Sequence, residues 1–150
     1  MSLEPLYSAD EMRAAEACHP GYPDSMRELM ERAGTQAAAT ALDAFVGARA
    51  WTIVCGAGSN GGDGRVMAER LRAEGHEVRV VEAKSDDHEL GAPDVLVDAL
   101  FGTGFSGEPR PDAARLIERM NDSARPIFAI DLPSGVDAST GEIAGAATVT

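Results

Sequence analysis

The chain has 150 residues, 44% of them hydrophobic, enough for the core of one globular domain. Its 13 basic against 25 acidic side chains leave a net charge of -12. That excludes a nucleic-acid binder resting on clustered Lys and Arg, but not a small phosphate ligand held by backbone N–H groups. Ser8 and Glu11 form an S-x-x-E capping box, which predicts a helix from about Ala9 to Cys18. Pro20, Gly21 and Pro23 then break the chain, and Asp24 or Ser25 caps a second helix. Its Met26, Leu29, Met30, Ala33, Ala37, Ala41 and Phe45 keep helical spacing, and Gly34 among them either permits close backbone approach or is merely tolerated.

From Trp51 the pattern changes. WTIVC is a buried strand, the glycine loop CGAGSNGGDG (Cys55 to Gly64) follows, and a helix from Arg65 to Glu74 ends at Gly75. His76 to Ala83 and Asp94 to Leu100 are a second and third strand. Pro111 opens the helix PDAARLIERM, Pro126 to Leu132 is a fourth strand, and the final ATVT starts a fifth. Strands alternating with helices, apolar on both faces, predict an α/β fold with a parallel sheet and an N-terminal helical extension packed on it. Only nine residues, Lys84 to Ala92, join strands two and three, where a crossover between parallel neighbours needs about a dozen. Either strand two is short or a loop replaces the helix.

Ligands of open parallel sheets bind beyond the carboxyl ends of the strands, and three unusual loops fall there. They are GAGSNGGDG after strand one, DALFGTGFSGE (Asp98 to Glu108) after strand three, and DLPSGVD (Asp131 to Asp137) after strand four. Glycines let a backbone approach a ligand closely and aim its N–H groups at anionic oxygens. For any single loop, a tight turn explains them as well. The G-x-G-x-x-G spacing of Gly56, Gly58 and Gly61 also fits a dehydrogenase's dinucleotide turn, with Glu82 as the ribose-binding acid, but that reading leaves NGGDG, DALFGTGF and DLPSG without a role.

Four segments in order, LMERAG (Leu29 to Gly34), SNGGDG (Ser59 to Gly64), VDALFGTGFSG (Val97 to Gly107) and AIDLPSGVDASTG (Ala129 to Gly141), resemble the NAD(P)H-hydrate epimerases. The resemblance implies a Rossmann-like, three-layer αβα fold with a mostly parallel sheet. It also implies interconversion of the R and S forms of NADHX and NADPHX, a repair reaction, with one bound potassium ion. By the same resemblance Ser59, Asn60, Gly61, Gly62 and Asp63 contact the hydrated cofactor, and the loop Gly102, Thr103, Gly104, Phe105, Ser106, Gly107 and Glu108 lies along its phosphates. Asn60, Asp98 and Ser134 hold the ion, and Asp131 contacts the substrate near the reacting ring. Ser59 replaces an asparagine of the family pattern. The expected unit is one epimerase-like domain over 1–150 that lacks the family's last strands, with a fused or separate ADP/ATP-dependent NAD(P)HX dehydratase as a partner.

The chemistry of the residues agrees. Inverting a carbinolamine carbon, by loss of water to an iminium and readdition or by ring opening and closing, needs an acid that can become a base, and Asp131 at a strand end is the candidate; by itself it is equally well a turn cap beside PSG. Asn60, Asp98 and Ser134 offer an amide oxygen, one carboxylate and one hydroxyl. One carboxylate balances a monovalent ion, whereas Mg²⁺ and Ca²⁺ sites gather more carboxylate charge; Asn60 and Ser134 could instead satisfy turn backbone. His19, His76 and His88 are expected to be solvated, Cys55 to lie in the core, and Glu11, Glu16, Glu28 and Glu31 to form solvated helix faces. The Met- and Ala-rich second helix suits a core or a homodimer contact. Cys18 and Cys55 are too few for a disulfide framework, no apolar run spans a membrane and no signal peptide opens the chain, so a cytoplasmic protein is expected.

Overall fold

The computed structural model describes residues 7–150. Helix α1 (Ala9–Ala17) starts at the predicted capping box: Glu11 N–H donates to Ser8 Oγ at 3.4 Å, and Ser8 N–H donates to Glu11 Oε2 at 2.8 Å. It buries none of its own side chains. Helix α2 (Met26–Ala44) has Ser25 at its N-cap, as predicted, but without the side-chain bond a cap usually makes. Its buried stripe is Gly34, Ala38 and Ala41, while Ala33 is exposed. Gly34 is required: a Cβ there would lie 2.5 Å from Val66 Cβ and 2.6 Å from the Asp63 carbonyl oxygen, so α2 can touch the next helix only through a residue without one.

Strands β1 (Ala50–Cys55), β2 (Glu77–Glu82), β3 (Val95–Ala99) and β4 (Ile127–Ala129) form one parallel sheet in the order β2-β1-β3-β4. Trp51, Ile53 and Cys55 of β1 face α2 and helix α3 (Ser59–Ala73); Val54 and Leu96 face helix α4 (Pro111–Asp122) on the other side. The fold is therefore the predicted α/β three-layer arrangement. The order explains the short connection after β2. Strands β2 and β3 are not neighbours, and the chain crosses the α4 side of β1 without a helix. Leu90 fills the helix's place in that core, and its carbonyl accepts from the buried Thr52 Oγ1 at 2.8 Å.

Three expectations are corrected. Helix α3 begins at Ser59, not Arg65, because its glycines are packing residues of the first turn rather than a loop. Strand β4 stops at Ala129, where the backbone leaves the ladder for a left-handed turn at Asp131. The ATVT segment is no strand. Instead of a ladder it has one bond from Thr148 N–H to the Ser134 carbonyl, and Asn121 of α4 clamps it through Ala147 O and Val149 N–H, both at 2.9 Å. Among the described residues no helix is long and apolar enough to cross a membrane.

Candidate functional site

All four strands end at the same edge, so the three glycine-bearing loops meet there. After β1 the Gly56 N–H donates to the Ala99 carbonyl at 2.9 Å, and a Cβ on Gly56 would lie 2.0 Å from the Leu100 oxygen. In the first turn of α3, a Cβ on Gly61 would lie 1.9 Å from the Gly56 oxygen. The helix thus sits directly on the strand ends, and this position presents Asn60. Its Nδ2 donates to the Phe101 carbonyl at 2.7 Å, while its Oδ1 is buried with no partner among the described residues. A buried, unpaired amide oxygen is costly unless something else fills its valence.

Beneath it lies the end of β3. Asp98 is fully buried; its Oδ1 accepts from Ser134 Oγ at 2.6 Å and from Leu100 N–H at 3.1 Å, and its Oδ2 accepts from Ser134 N–H at 2.8 Å. Ser134 Oγ accepts in turn from Phe101 N–H at 3.0 Å. Asn60, Phe101, Ser134 and Asp98 therefore form one continuous network that ties α3, the loop after β3 and the loop after β4 together.

Asp131 follows β4 in a left-handed conformation, φ 67°, and Leu132 N–H donates across it to the Ile130 carbonyl. That is a γ-turn of the strained positive-φ kind. The turn aims the exposed carboxylate at the second glycine loop, where Oδ2 accepts from Thr103 N–H at 2.9 Å. Gly102 packs closely here: a Cβ would press on both Asp131 Oδ2 (2.9 Å) and Asn60 Cβ (3.2 Å), so a larger residue would push the carboxylate aside.

A cavity of about 870 Å³ opens at this rim, lined by Gly58, Ser59, Asn60 and Asp63 of the first loop, Phe101 to Phe105 of the second, and Asp131. Phe101 and Phe105 stack there with ring centroids 4.6 Å apart. Asp63 is half-buried, and burial with the nearby carboxylates of Asp131 and Glu16 pushes its pKa up to about 6. A carboxyl whose folded pKa lies above its unfolded value stabilises fully only at low pH, and that contribution is lost as pH rises through about 6. Asp63→Asn escapes the loss. We expect it to be more stable than wild type at neutral pH by about 1 kcal/mol, after discounting for the exposed half of the group, with no gain near pH 4. Urea unfolding at both pH values checks this; a gain that persists at the lower pH would refute it.

Comparison with known proteins places this geometry. The family model described as YjeF-related protein N-terminus matches residues 26–92 and 81–150. The chain belongs to that family. An NAD(P)H-hydrate epimerase of Legionella pneumophila is 35% identical over 86% of the chain. The bifunctional NAD(P)H-hydrate repair enzymes of Escherichia coli and Leishmania major are 37% and 38% identical over 81% and 79% of it. The chain spans 61% of the length of the Legionella relative and 28% of the E. coli one. The crystal structure of the yeast protein ynu0 superposes with a TM-score of 0.74 at 21% identity, covering 89% of this chain and 72% of that one, which shows the shared fold.

Within this YjeF-related frame, two of the expected site glycines also pack the helix onto its neighbours. Gly61 lies against the Gly56 carbonyl, and Gly62 meets the Met30 thioether, where a Cβ would come within 2.4 Å of Sδ. Ser106, Gly107 and Glu108 lie outside the cavity lining. Glu82, the acid of the dinucleotide alternative, is engaged by Arg65, whose Nε donates to Oε1 at 2.8 Å. Glu16 is not on a solvated face: it is half-buried and lines the cavity with Arg13 of the same helix. Glu11 serves its capping box and Glu31 pairs with Arg70. The histidines are half-buried rather than solvated, and the His76 ring accepts from Trp51 Nε1 at 3.3 Å. Cys55 is buried in the core as expected. Lys84 and Arg110 also line the cavity and carried no signal in the sequence, because each stands alone in a loop without a motif.

Proposed function

We propose that the chain is an NAD(P)H-hydrate epimerase, an isomerase that interconverts the R and S forms of NADHX and NADPHX. The observation that carries the reading is the convergence of Asn60, Asp98, Asp131 and Ser134 on one rim beside one cavity. The names of the relatives point the same way. In the hydrated ring, C6 bears a hydroxyl next to the ring nitrogen. Inversion proceeds by loss of that hydroxyl as water and readdition from the other face. In this reading Asp131 exchanges the proton, and the Phe101–Phe105 stack and glycine-loop N–H groups hold the rest of the nucleotide. The bifunctional relatives support a second repair activity beside this one, for which an ADP/ATP-dependent dehydratase is the proposed partner.

The donor set fits one potassium ion. Asn60 Oδ1 is buried and lacks a partner, and the Asp98 carboxyl and Ser134 hydroxyl belong to the same network. When bound, the ion supplies positive charge that fixes the glycine loops in one arrangement; the proton transfers remain with the carboxyl groups.

The test is the epimerisation of pure R-hydrate, followed by chromatography with and without protein. We expect a faster approach to equilibrium, and a slower one when tetramethylammonium replaces potassium. Equilibrium reached no faster than in buffer rejects the function. Stabilisation by the nucleotide without turnover would make the chain a non-catalytic nucleotide-binding module. Equal rates in the two salts would reject the potassium site alone.

A further inference from the structure

The reading above gives Asp63 no more than a contact with substrate, yet its surroundings call for more. It lines the cavity half-buried, and its carboxyl has no hydrogen-bond or ion-pair partner among the described residues. The carboxylates of Asp131 after β4 and Glu16 from α1 lie near enough to act on its charge, and Arg13 from α1, Tyr22 before α2, Lys84 and Arg110 line the same cavity. Arg13 is held by Asp10. Helix α2 meets this turn of α3 with Met30 at Gly62 and Gly34 at the Asp63 carbonyl, and its Arg27 and Glu31 line a neighbouring hollow with Ser59 and Gly62. One turn earlier on the same helix, Asn60, the residue whose Oδ1 is proposed to hold the ion, is 7% exposed and lines the same cavity.

We propose that Asp63 is a second catalytic carboxyl of this site, working with Asp131 on the two faces of the substrate's ring. The inference rests on the epimerase reading. Asp63 gives its proton to the C6 hydroxyl oxygen. The C6–O bond breaks, its electron pair leaves with water, and the ring nitrogen lone pair closes to C6 as an iminium. A solvent water adds to the opposite face of C6, its electron pair forming the new C–O bond and returning the N–C6 pair to nitrogen. Asp131 takes the proton released. The next turnover runs the roles in reverse, or solvent re-equilibrates the two carboxyls. One group must give a proton and the other take one. Asp131 is exposed and accepts the Thr103 N–H, while Asp63 is half-buried with no donor, and burial with the nearby carboxylates pushes its pKa up to about 6.

Epimerisation of pure R-hydrate is measured for wild type, Asp63→Asn and Asp63→Glu, with the protein-free rate subtracted. We expect wild-type kcat/KM to rise as pH falls from 8 toward 6. Asp63→Asn should lose about 10²-fold in kcat with KM within about threefold, and its profile should flatten. Asp63→Glu, which keeps a carboxyl, should retain the pH-dependent limb. An Asp63→Asn kcat within about threefold of wild type, or a rise in KM alone, would overturn the proposal. So would an Asp63→Glu profile as flat as that of Asp63→Asn. A wild type without turnover fails the epimerase reading and this inference together; an active wild type matched by Asp63→Asn fails this inference only.

Discussion

Asp131→Asn is expected to lower kcat by about 10²–10⁴-fold while leaving the folded protein as stable as wild type, because the substitution removes the proton carrier and little else. The backbone at Asp131 is left-handed, φ 67°, a conformation in which asparagine, like aspartate, is enriched among residues other than glycine. The Asn side-chain oxygen can still accept from Thr103 N–H, so the γ-turn and the second glycine loop keep their tie. Asp131→Ala is a poorer probe. It places a Cβ-bearing residue without local hydrogen bonding in that strained region, for about 1 kcal/mol, and releases Thr103 N–H as well. The two variants should therefore be equally inactive, with only alanine lowering the thermal midpoint. An asparagine variant that epimerises at more than a tenth of the wild-type rate would show that Asp131 is a turn residue and not a catalytic one.

The parts of this fold that were legible follow from periodicity and from punctuation. Apolar runs such as WTIVC and DVLVDAL read as buried strands because both faces of a parallel sheet are covered, and Pro111 marked the start of α4 at its N-terminus. What misled was glycine. The run NGGDG reads as loop by propensity, since glycine weakens a helix, yet tertiary packing decides here: Gly61 and Gly64 let α3 rest on Gly56 and on Ala99, where a Cβ would come within 1.9 and 2.6 Å. That same packing carries the polar residues between them into the site. Asn60, Asp98 and Ser134 were legible as a set only through the family likeness; no spacing in the sequence joins residues drawn from a helix and two loops. Glu16 and Asp63 show the converse limit. Glu16 looked like one more solvated helix charge, and nothing local says that α1 folds over the cavity mouth. Asp63 was read as a substrate contact, and what raises its pKa is burial together with Asp131 and Glu16, both far from it in the chain.

Asp98→Ala should be among the most damaging single substitutions to the fold. The carboxyl is wholly buried and accepts three hydrogen bonds, from Leu100 N–H, Ser134 N–H and Ser134 Oγ. Removing it leaves two buried amides without partners and frees the serine hydroxyl, which is the acceptor for Phe101 N–H. Each orphaned buried donor costs about 1–3 kcal/mol, so a total loss of about 3–5 kcal/mol is expected, a large share of a domain's stability. The damage spreads along the network, because Phe101 carries the carbonyl that holds Asn60 and the Ser134 carbonyl anchors Thr148. In urea the midpoint should fall by about 2 M, taking a slope of about 2 kcal/mol/M. Asp98→Asn separates the two roles proposed for this residue. Its oxygen can keep either the Leu100 and Ser134 hydroxyl contacts or the Ser134 amide contact, so it should recover about half of the lost stability; without the carboxylate charge it should recover none of the response to potassium. If both variants unfold at the wild-type urea midpoint, the network is not what joins the three loops, and the convergence of Asn60, Asp98, Asp131 and Ser134 loses its structural basis.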